Sequence, residues 1–271
     1  MGSVSRRREF LARSLASGAA GAVGISALSH LVAADQPAGA KRQVYELDIY
    51  QMKPGDMIRK ADDYFEQALI PALRRANVGP VGVFVEASTA DAPAIYVLVP
   101  HAGMESTAAA ATILQNDAEY QKAGAAFLSA PPKDPAYLNH EARLMVAASF
   151  MPALEAPEKK DTRVFELRRY RSPSEAAFRK KLEMFATGEV AIFRRVGLNP
   201  VFFGEMLFGP DMFNITYMLT YPDAGARGKA WGEFGKDAVW KKLRVTPGFT
   251  DAEIIANIKS LTLTPTRYSQ I

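Results

Sequence analysis

Val44-Tyr45-Glu46-Leu47 returns as Val164-Phe165-Glu166-Leu167, and every further echo falls at the same distance. Tyr50 returns as Tyr170, Arg59-Lys60 as Arg179-Lys180, Phe65 as Phe185, and Arg74-Arg75 as Arg194-Arg195. Pro80-Val81 matches Pro200-Val201, and Asp117-Ala118 matches Asp237-Ala238. One offset of 120 residues, held without a gap over some seventy positions, is a tandem duplication. It constrains the fold more than any other feature, because two copies of one unit must supply each other with whatever surface a single copy leaves uncovered.

Each copy reads the same way. Residues 44–50 and 164–170 alternate as strands, with Tyr45, Leu47 and Ile49 on one face and Glu46, Asp48 and Tyr50 on the other. Apolar residues at helical spacing fill 55–76, and Phe178, Leu182, Phe185, Ile192, Phe193 and Val196 repeat the pattern. Ser172-Pro173-Ser174-Glu175 reads as a capping box that starts the second of these helices. Pro71 and Gly188 disturb the two helices at similar places. Two strands follow (about 80–87 with 94–101, and 200–207 with 213–221), then a helical region (104–128 and 223–244), then a last strand (141–149 and 254–263).

The order β-α-β-β-α-β is the ferredoxin-like split unit. The expected class is α+β, with a first repeat over 43–151, a linker over 152–162 and a second repeat over 163–271. Both helices of such a unit cover one face of its sheet, so the other face needs a second sheet. The duplication provides one, and the two sheets should pack as a pseudo-dimeric α/β barrel, whether as a monomer or a homo-oligomer. Charge favours that pairing: residues 35–162 hold 12 basic and 17 acidic side chains, and 163–271 hold 17 and 11.

Residues 1–34 read as a leader. Arg7-Arg8-Glu9-Phe10-Leu11 matches the twin-arginine export signature, and Arg7, Arg8, Phe10 and Leu11 carry it. A Gly/Ala/Ser-rich stretch follows, with cleavage expected after Ala34 or Ala40. This predicts passage through the twin-arginine machinery, a periplasmic or secreted address, and no stable membrane span after cleavage. The leader also holds most of the net charge of +4, so the remainder gives no reason to expect a nucleic-acid partner.

At 48% hydrophobic the chain is globular in composition, and with no cysteine it has neither thiolate metal sites nor a cysteine nucleophile. No phosphate loop, nucleophile elbow or dinucleotide fingerprint occurs. The histidines show no metal-ligand spacing, so no metal and no cofactor are expected; a haem, which needs one axial ligand, leaves His101 as an alternative. If Tyr45/Leu47 and Phe165/Leu167 pack on helices, then Glu46, Asp48, Tyr50, Glu166, Arg168 and Tyr170 face the barrel interior. Asp48 and Arg168, equivalent and oppositely charged, would pair across the pseudo-twofold. That set is either a ligand pocket, with Glu46 or Glu166 as base and tyrosines orienting the ligand, or a satisfied polar network. Arg194 follows a long helix, where it complements the dipole or meets an anionic ligand. Arg227 reads as a surface residue, and Trp231, Phe234 and Trp240 as the apolar anchor of a helix.

The second repeat resembles the NIPSNAP family. The resemblance is carried by Val164-Phe165-Glu166-Leu167-Arg168-Arg169-Tyr170-Arg171, by Ile192-Phe193-Arg194-Arg195-Val196-Gly197 running into Asn199-Pro200-Val201-Phe202-Phe203-Gly204-Glu205, and by Asn214-Ile215-Thr216-Tyr217-Met218-Leu219. The segment from Ala226 to Trp240 and the ending Leu263 to Ser269 are similar too. The first repeat departs from the pattern, with Ala111 opposite Trp231 and Tyr120 opposite Trp240. The resemblance implies the dimeric α/β-barrel fold, whose relatives include small monooxygenases and haem enzymes, and it implies no defined activity. Two functions therefore stand: binding, with or without transforming, a small organic molecule in the barrel interior, or a non-catalytic interaction or assembly module with a filled barrel.

Overall fold

A computed structural model describes residues 41–86 and 93–271. The leader, including Arg7, Arg8, Phe10 and Leu11, lies outside the described residues. Among the described residues no helix is long and apolar enough to cross a membrane.

The first repeat runs β1 (Val44–Gln51), α1 (Asp56–Tyr64), α2 (Ile70–Arg75), β2 (Gly82–Glu86), β3 (Ala94–His101), α3 (Met104–Asn116), α4 (Ala118–Ala123), α5 (Ala125–Leu128) and β4 (Asn139–Ala147). The second runs β5 (Val164–Arg171), α6 (Glu175–Met184), α7 (Val190–Val196), β6 (Asn199–Phe208), β7 (Asn214–Tyr221), α8 (Ala224–Lys236), α9 (Ala238–Leu243), α10 (Asp251–Ile254) and β8 (Asn257–Pro265). In each repeat the long helix passes through one π turn, at Phe65–Leu69 and at Phe185–Glu189. Pro71 sits just beyond the first and Gly188 inside the second, where a missing N–H and a missing side chain weaken the α ladder. The capping residue of α6 is Ser174, whose hydroxyl accepts from the Ala177 N–H, so that helix starts two residues later than the motif suggests. Asp117 and Asp237 cap α4 and α9, and each is bridged by an arginine from the preceding long helix, Arg75 and Arg195, at 2.7 Å.

The eight strands close into one antiparallel barrel in the order β1-β3-β2-β8-β5-β7-β6-β4. Each repeat contributes four neighbouring strands, and the repeats join at β2–β8 and β4–β6. The two-sheet pseudo-dimeric architecture expected from the duplication is present. Ion pairs join the two halves of the chain: Arg267 with Glu66 follows their opposite net charge, and Arg42 with Glu205 runs the other way.

The facing of the strands is the reverse of the expectation. Tyr45, Leu47, Ile49, Phe165 and Leu167 point into the barrel, where they pack with Phe84, Tyr96, Leu98, Met145, Phe202 and Met218. Tyr50 and Tyr170 lie on the outer face, in the two cores beneath the helices. The interior is filled by exchange between the repeats. Gly82 and Phe84 of the first stand where the second has Phe202 and Gly204, so each repeat has a glycine where the other has a ring. A Cβ on Gly204 would lie 2.9 Å from Met145, and one on Gly82 would lie 2.5 Å from the Phe84 ring. Tyr45 packs on Phe202 at 5.0 Å and Phe165 on Phe84 at 4.8 Å. The middle of the barrel interior is thus an apolar core, with the buried Arg169 paired to Asp211 farther along the inward face of β5, and the interior pocket expected from the sequence is not formed by the residues named for it.

Candidate functional site

Because side chains alternate along a strand, Glu46, Asp48 and Tyr50 share the outer face of β1, and Glu166, Arg168 and Tyr170 that of β5. Helices cover both faces, and the polar residues form two separate clusters, one per repeat. Asp48 and Arg168 do not pair across the pseudo-twofold; each finds partners within its own repeat.

In the second repeat the cluster is closed around Glu166, which is 0% exposed. Its carboxylate accepts from Arg168 at 2.7 Å, Arg227 at 2.8 Å, the Trp231 indole N–H at 2.7 Å, the Tyr221 hydroxyl at 2.8 Å and the Ser260 hydroxyl at 2.6 Å. Burial pushes this carboxyl up, but the hydrogen bonds and the Arg168 charge outweigh it and hold the group at about 2. Such a carboxylate has no lone pair to spare and almost no proton affinity at neutral pH, so Glu166 is not a general base. Arg168 also donates to the Tyr217 and Tyr170 hydroxyls at 3.0 and 3.1 Å and lies over the Trp231 ring at 4.5 Å. Beside them Lys181 and Glu189, both buried, pair at 2.5 Å across the π turn.

In the first repeat the equivalent acid is open. The Glu46 side chain is 36% exposed and takes a hydrogen bond from His101 Nε2 at 3.2 Å. Next to it, His140 Nε2 bonds Asp48 at 2.7 Å, and the His140 ring stacks on Tyr50 at 4.4 Å. The hydrogen bond to Asp48 raises His140 above the ordinary histidine range, against the opposing effect of partial burial. Burial raises Asp48, with His140 pulling it back. Two carboxylate–histidine pairs therefore lie side by side, one reachable from solvent through Glu46 and the other through His140, which is 33% exposed.

Several sequence readings change here. Arg227 is an internal donor to Glu166 rather than a surface residue, and Trp231 bonds the same carboxylate as well as packing. Arg194 is held by Glu155 through two hydrogen bonds of 2.7 and 2.8 Å, at the edge of a groove of about 330 Å3 along the linker. His101 is 2% exposed, with one nitrogen on Glu46 and the other enclosed, so neither is open to a haem iron. Among the described residues no group of three or more His, Asp or Glu side chains could hold a metal ion.

Sequence reasoning passed over His140, Lys181, Glu189, Tyr217 and Ser260. The repeat carried a signal for the middle three: their equivalents are Ala61, Leu69 and Val97, so the second copy has polar groups where the first has core. His140 gave no such signal, since the last strands pair in a register shifted by two residues. His140 faces Tyr50, whereas Ile258 faces Tyr170.

A carboxylate saturated by strand and helix donors, on the outer face of one half of a barrel, belongs to the segment with the family resemblance. Residues 165–270 match the NIPSNAP family model. The matched segment holds the whole Glu166 cluster. No curated protein sequence matches the chain. Among solved structures, a candidate monooxygenase from Fusobacterium nucleatum subsp. nucleatum is similar with a TM-score of 0.56 at 9% identity, covering 84% of this chain and 94% of that one. A second candidate monooxygenase, from Lactobacillus acidophilus, has a TM-score of 0.55 at 8% identity, covering 83% and 94%. A NIPSNAP family protein from Agrobacterium tumefaciens is 19% identical over 40% of this chain and 98% of its own, with a TM-score of 0.36. The first two share the two-sheet barrel, and at such identities the likeness is one of fold.

Proposed function

We propose that the protein binds a small organic molecule on the outer face of its first repeat, between β1 and α3, and moves a proton there. The observation that carries this reading is the contrast between two equivalent acids, Glu46 at 36% exposure and Glu166 at 0%. In this reading Glu46 accepts a proton or hydrogen bond from the ligand and His101 holds the carboxylate in place. His140, whose proton affinity is raised by its hydrogen bond to Asp48, serves as the neighbouring acid. The second repeat is the closed copy, its polar groups spent on each other. The oxygenase role suggested for the two neighbours gives this fold a small-molecule precedent and assigns no reaction to this chain.

The test is a fragment screen by ligand-observed NMR on the mature protein, followed by protein spectra of the His101 and His140 imidazoles. Hits should shift both imidazoles and lose affinity in Glu46→Gln. Hits that leave both imidazoles unmoved would remove the site from consideration.

A second reading, an assembly module, draws on the filled barrel and on the exposed Phe208, Met212 and Phe213 at the β6–β7 turn. It expects a partner-dependent complex that Phe208→Ser weakens. We further propose that the chain is exported, on the strength of Arg7, Arg8, Phe10 and Leu11. Replacing Arg7 and Arg8 with lysine should leave the protein in the cytoplasm, as cell fractionation would read directly.

A further inference from the structure

The duplication lets the surroundings of Glu46 be compared with those of Glu166, residue by residue. The helices α3 and α8 begin and end 120 residues apart, as do β1 and β5, so Trp231 has its counterpart in Ala111 and Arg227 in Thr107. The five donors on Glu166 can be followed one by one. Arg168 becomes Asp48, which as a carboxylate donates nothing. Arg227 becomes Thr107, whose hydroxyl bonds back to Gly103 in its own helix. Trp231 becomes Ala111. Ser260, opposite Arg168 in the sheet, becomes Ala142, opposite Asp48. Tyr221 becomes His101, the one donor that is kept in kind.

The walls survive where the donors do not. Trp231 is flanked by Phe193 and Phe234 at 5.9 and 5.5 Å. Their counterparts are Leu73, which is buried, and Leu114, which packs against the same core. The first repeat thus keeps leucines in the places of both flanking rings and a carboxylate in the place of Glu166, and it puts an exposed methyl group where the second puts an indole. Among the described residues Glu46 and Asp48 pair with His101 and His140 and form no ion pair with lysine or arginine.

We propose that the ligand of the first repeat is a planar aromatic molecule bearing an N–H or O–H donor, indole-like or phenol-like and not anionic, which lies against Ala111 and donates to Glu46 as Trp231 donates to Glu166. This rests on the reading of the Glu46 face as the binding site and adds the chemical class. A ligand of this kind replaces both the indole's apolar contact and its hydrogen bond to the carboxylate. An anion would meet Glu46 with no arginine to offset the repulsion.

The probes are indole, 1-methylindole, phenol and benzoate, titrated into the mature protein by calorimetry and ligand-observed NMR. Indole and phenol should bind, and 1-methylindole, which has the shape without the donor, should bind at least tenfold more weakly. Glu46→Gln should weaken indole by about the same factor. Ala111→Trp should abolish indole binding with the fold intact by thermal melt, and Ala111→Leu, a good helix former, should block it should the tryptophan variant fail to fold. Equal affinity for indole and 1-methylindole, preference for benzoate, or no binding by any of the four would overturn the class. The site itself falls separately. If a probe or screened fragment binds and neither Ala111 variant reduces that binding, the Glu46 face is not where it sits.

Discussion

Trp231 donates its indole N–H to Glu166 at 2.7 Å, and this bond ties helix α8 to the centre of strand β5. Glu166 carries four further donors, two of them cationic, so its charge is integral to the second repeat. Replacing it by glutamine keeps the shape but leaves Arg168 and Arg227 without their counter-charge, at a cost of about 3 kcal/mol in urea melts at neutral pH. The acid side of the stability profile should change as well. The carboxyl is held at about 2 against an ordinary 4.5, so its contribution is complete above 4.5 and lost as pH falls toward 2. Glu166→Gln should flatten that acid limb; an unchanged limb would place the acid-sensitive group elsewhere.

His140 should titrate above the ordinary histidine value of 6.5, because its hydrogen bond to Asp48 favours the imidazolium. Asp48→Asn keeps the geometry and removes the charge, so the midpoint should move back down in an NMR titration of the ring protons. By linkage the pair's stabilisation is full below 6.5 and is lost as pH rises through the raised value. Wild type should therefore lose stability relative to Asp48→Asn across that interval.

Lys181 and Glu189 are a buried ion pair with a built-in control, because the first repeat has Ala61 and Leu69 at these positions. Burial pushes the Glu189 carboxyl up while Lys181 holds it down. Lys181→Met alone strands that carboxylate and should cost roughly 3–5 kcal/mol in chemical denaturation. The double change Lys181→Ala with Glu189→Leu adopts the first repeat's own solution and should recover most of the loss.

Phe165 points into the barrel, not toward the helices. Phe165→Ala should destabilise by about 3–5 kcal/mol, and Phe84→Ala by a similar amount, since each ring is fully buried. The rings touch, so the double variant should cost less than the sum. By contrast Glu46→Gln, on the partly exposed face, should stay within about 1 kcal/mol of wild type in the same denaturation series.

The element order was legible in the sequence because it rests on local signals that the duplication states twice. Strand alternation at Tyr45-Leu47-Ile49 and helical spacing through Phe65 lie within a few residues of what they determine. The second sheet followed from the repeat, since one split unit cannot cover both faces of its own strands. Much of the candidate site was visible as residues. Glu46, Asp48, Glu166 and Arg168 were identifiable as the polar face of two strands, although their partners His140, Trp231 and Ser260 are distant in the chain.

What the sequence by itself determined is that two faces exist and which residues share each. Tertiary structure alone decided which face points inward. In a barrel wrapped by helices both faces are covered, so polarity does not mark the outside. The middle of the interior is filled by apolar side chains of both repeats, and the face of Tyr45, Leu47 and Ile49 enters it without bringing in a charge. The mixed face stays outward because a helix can bring donors to it, as α8 brings Arg227 and Trp231 to Glu166. Helix α3 brings Thr107 and Ala111 instead, and that difference, read only by laying one repeat over the other, leaves Glu46 open.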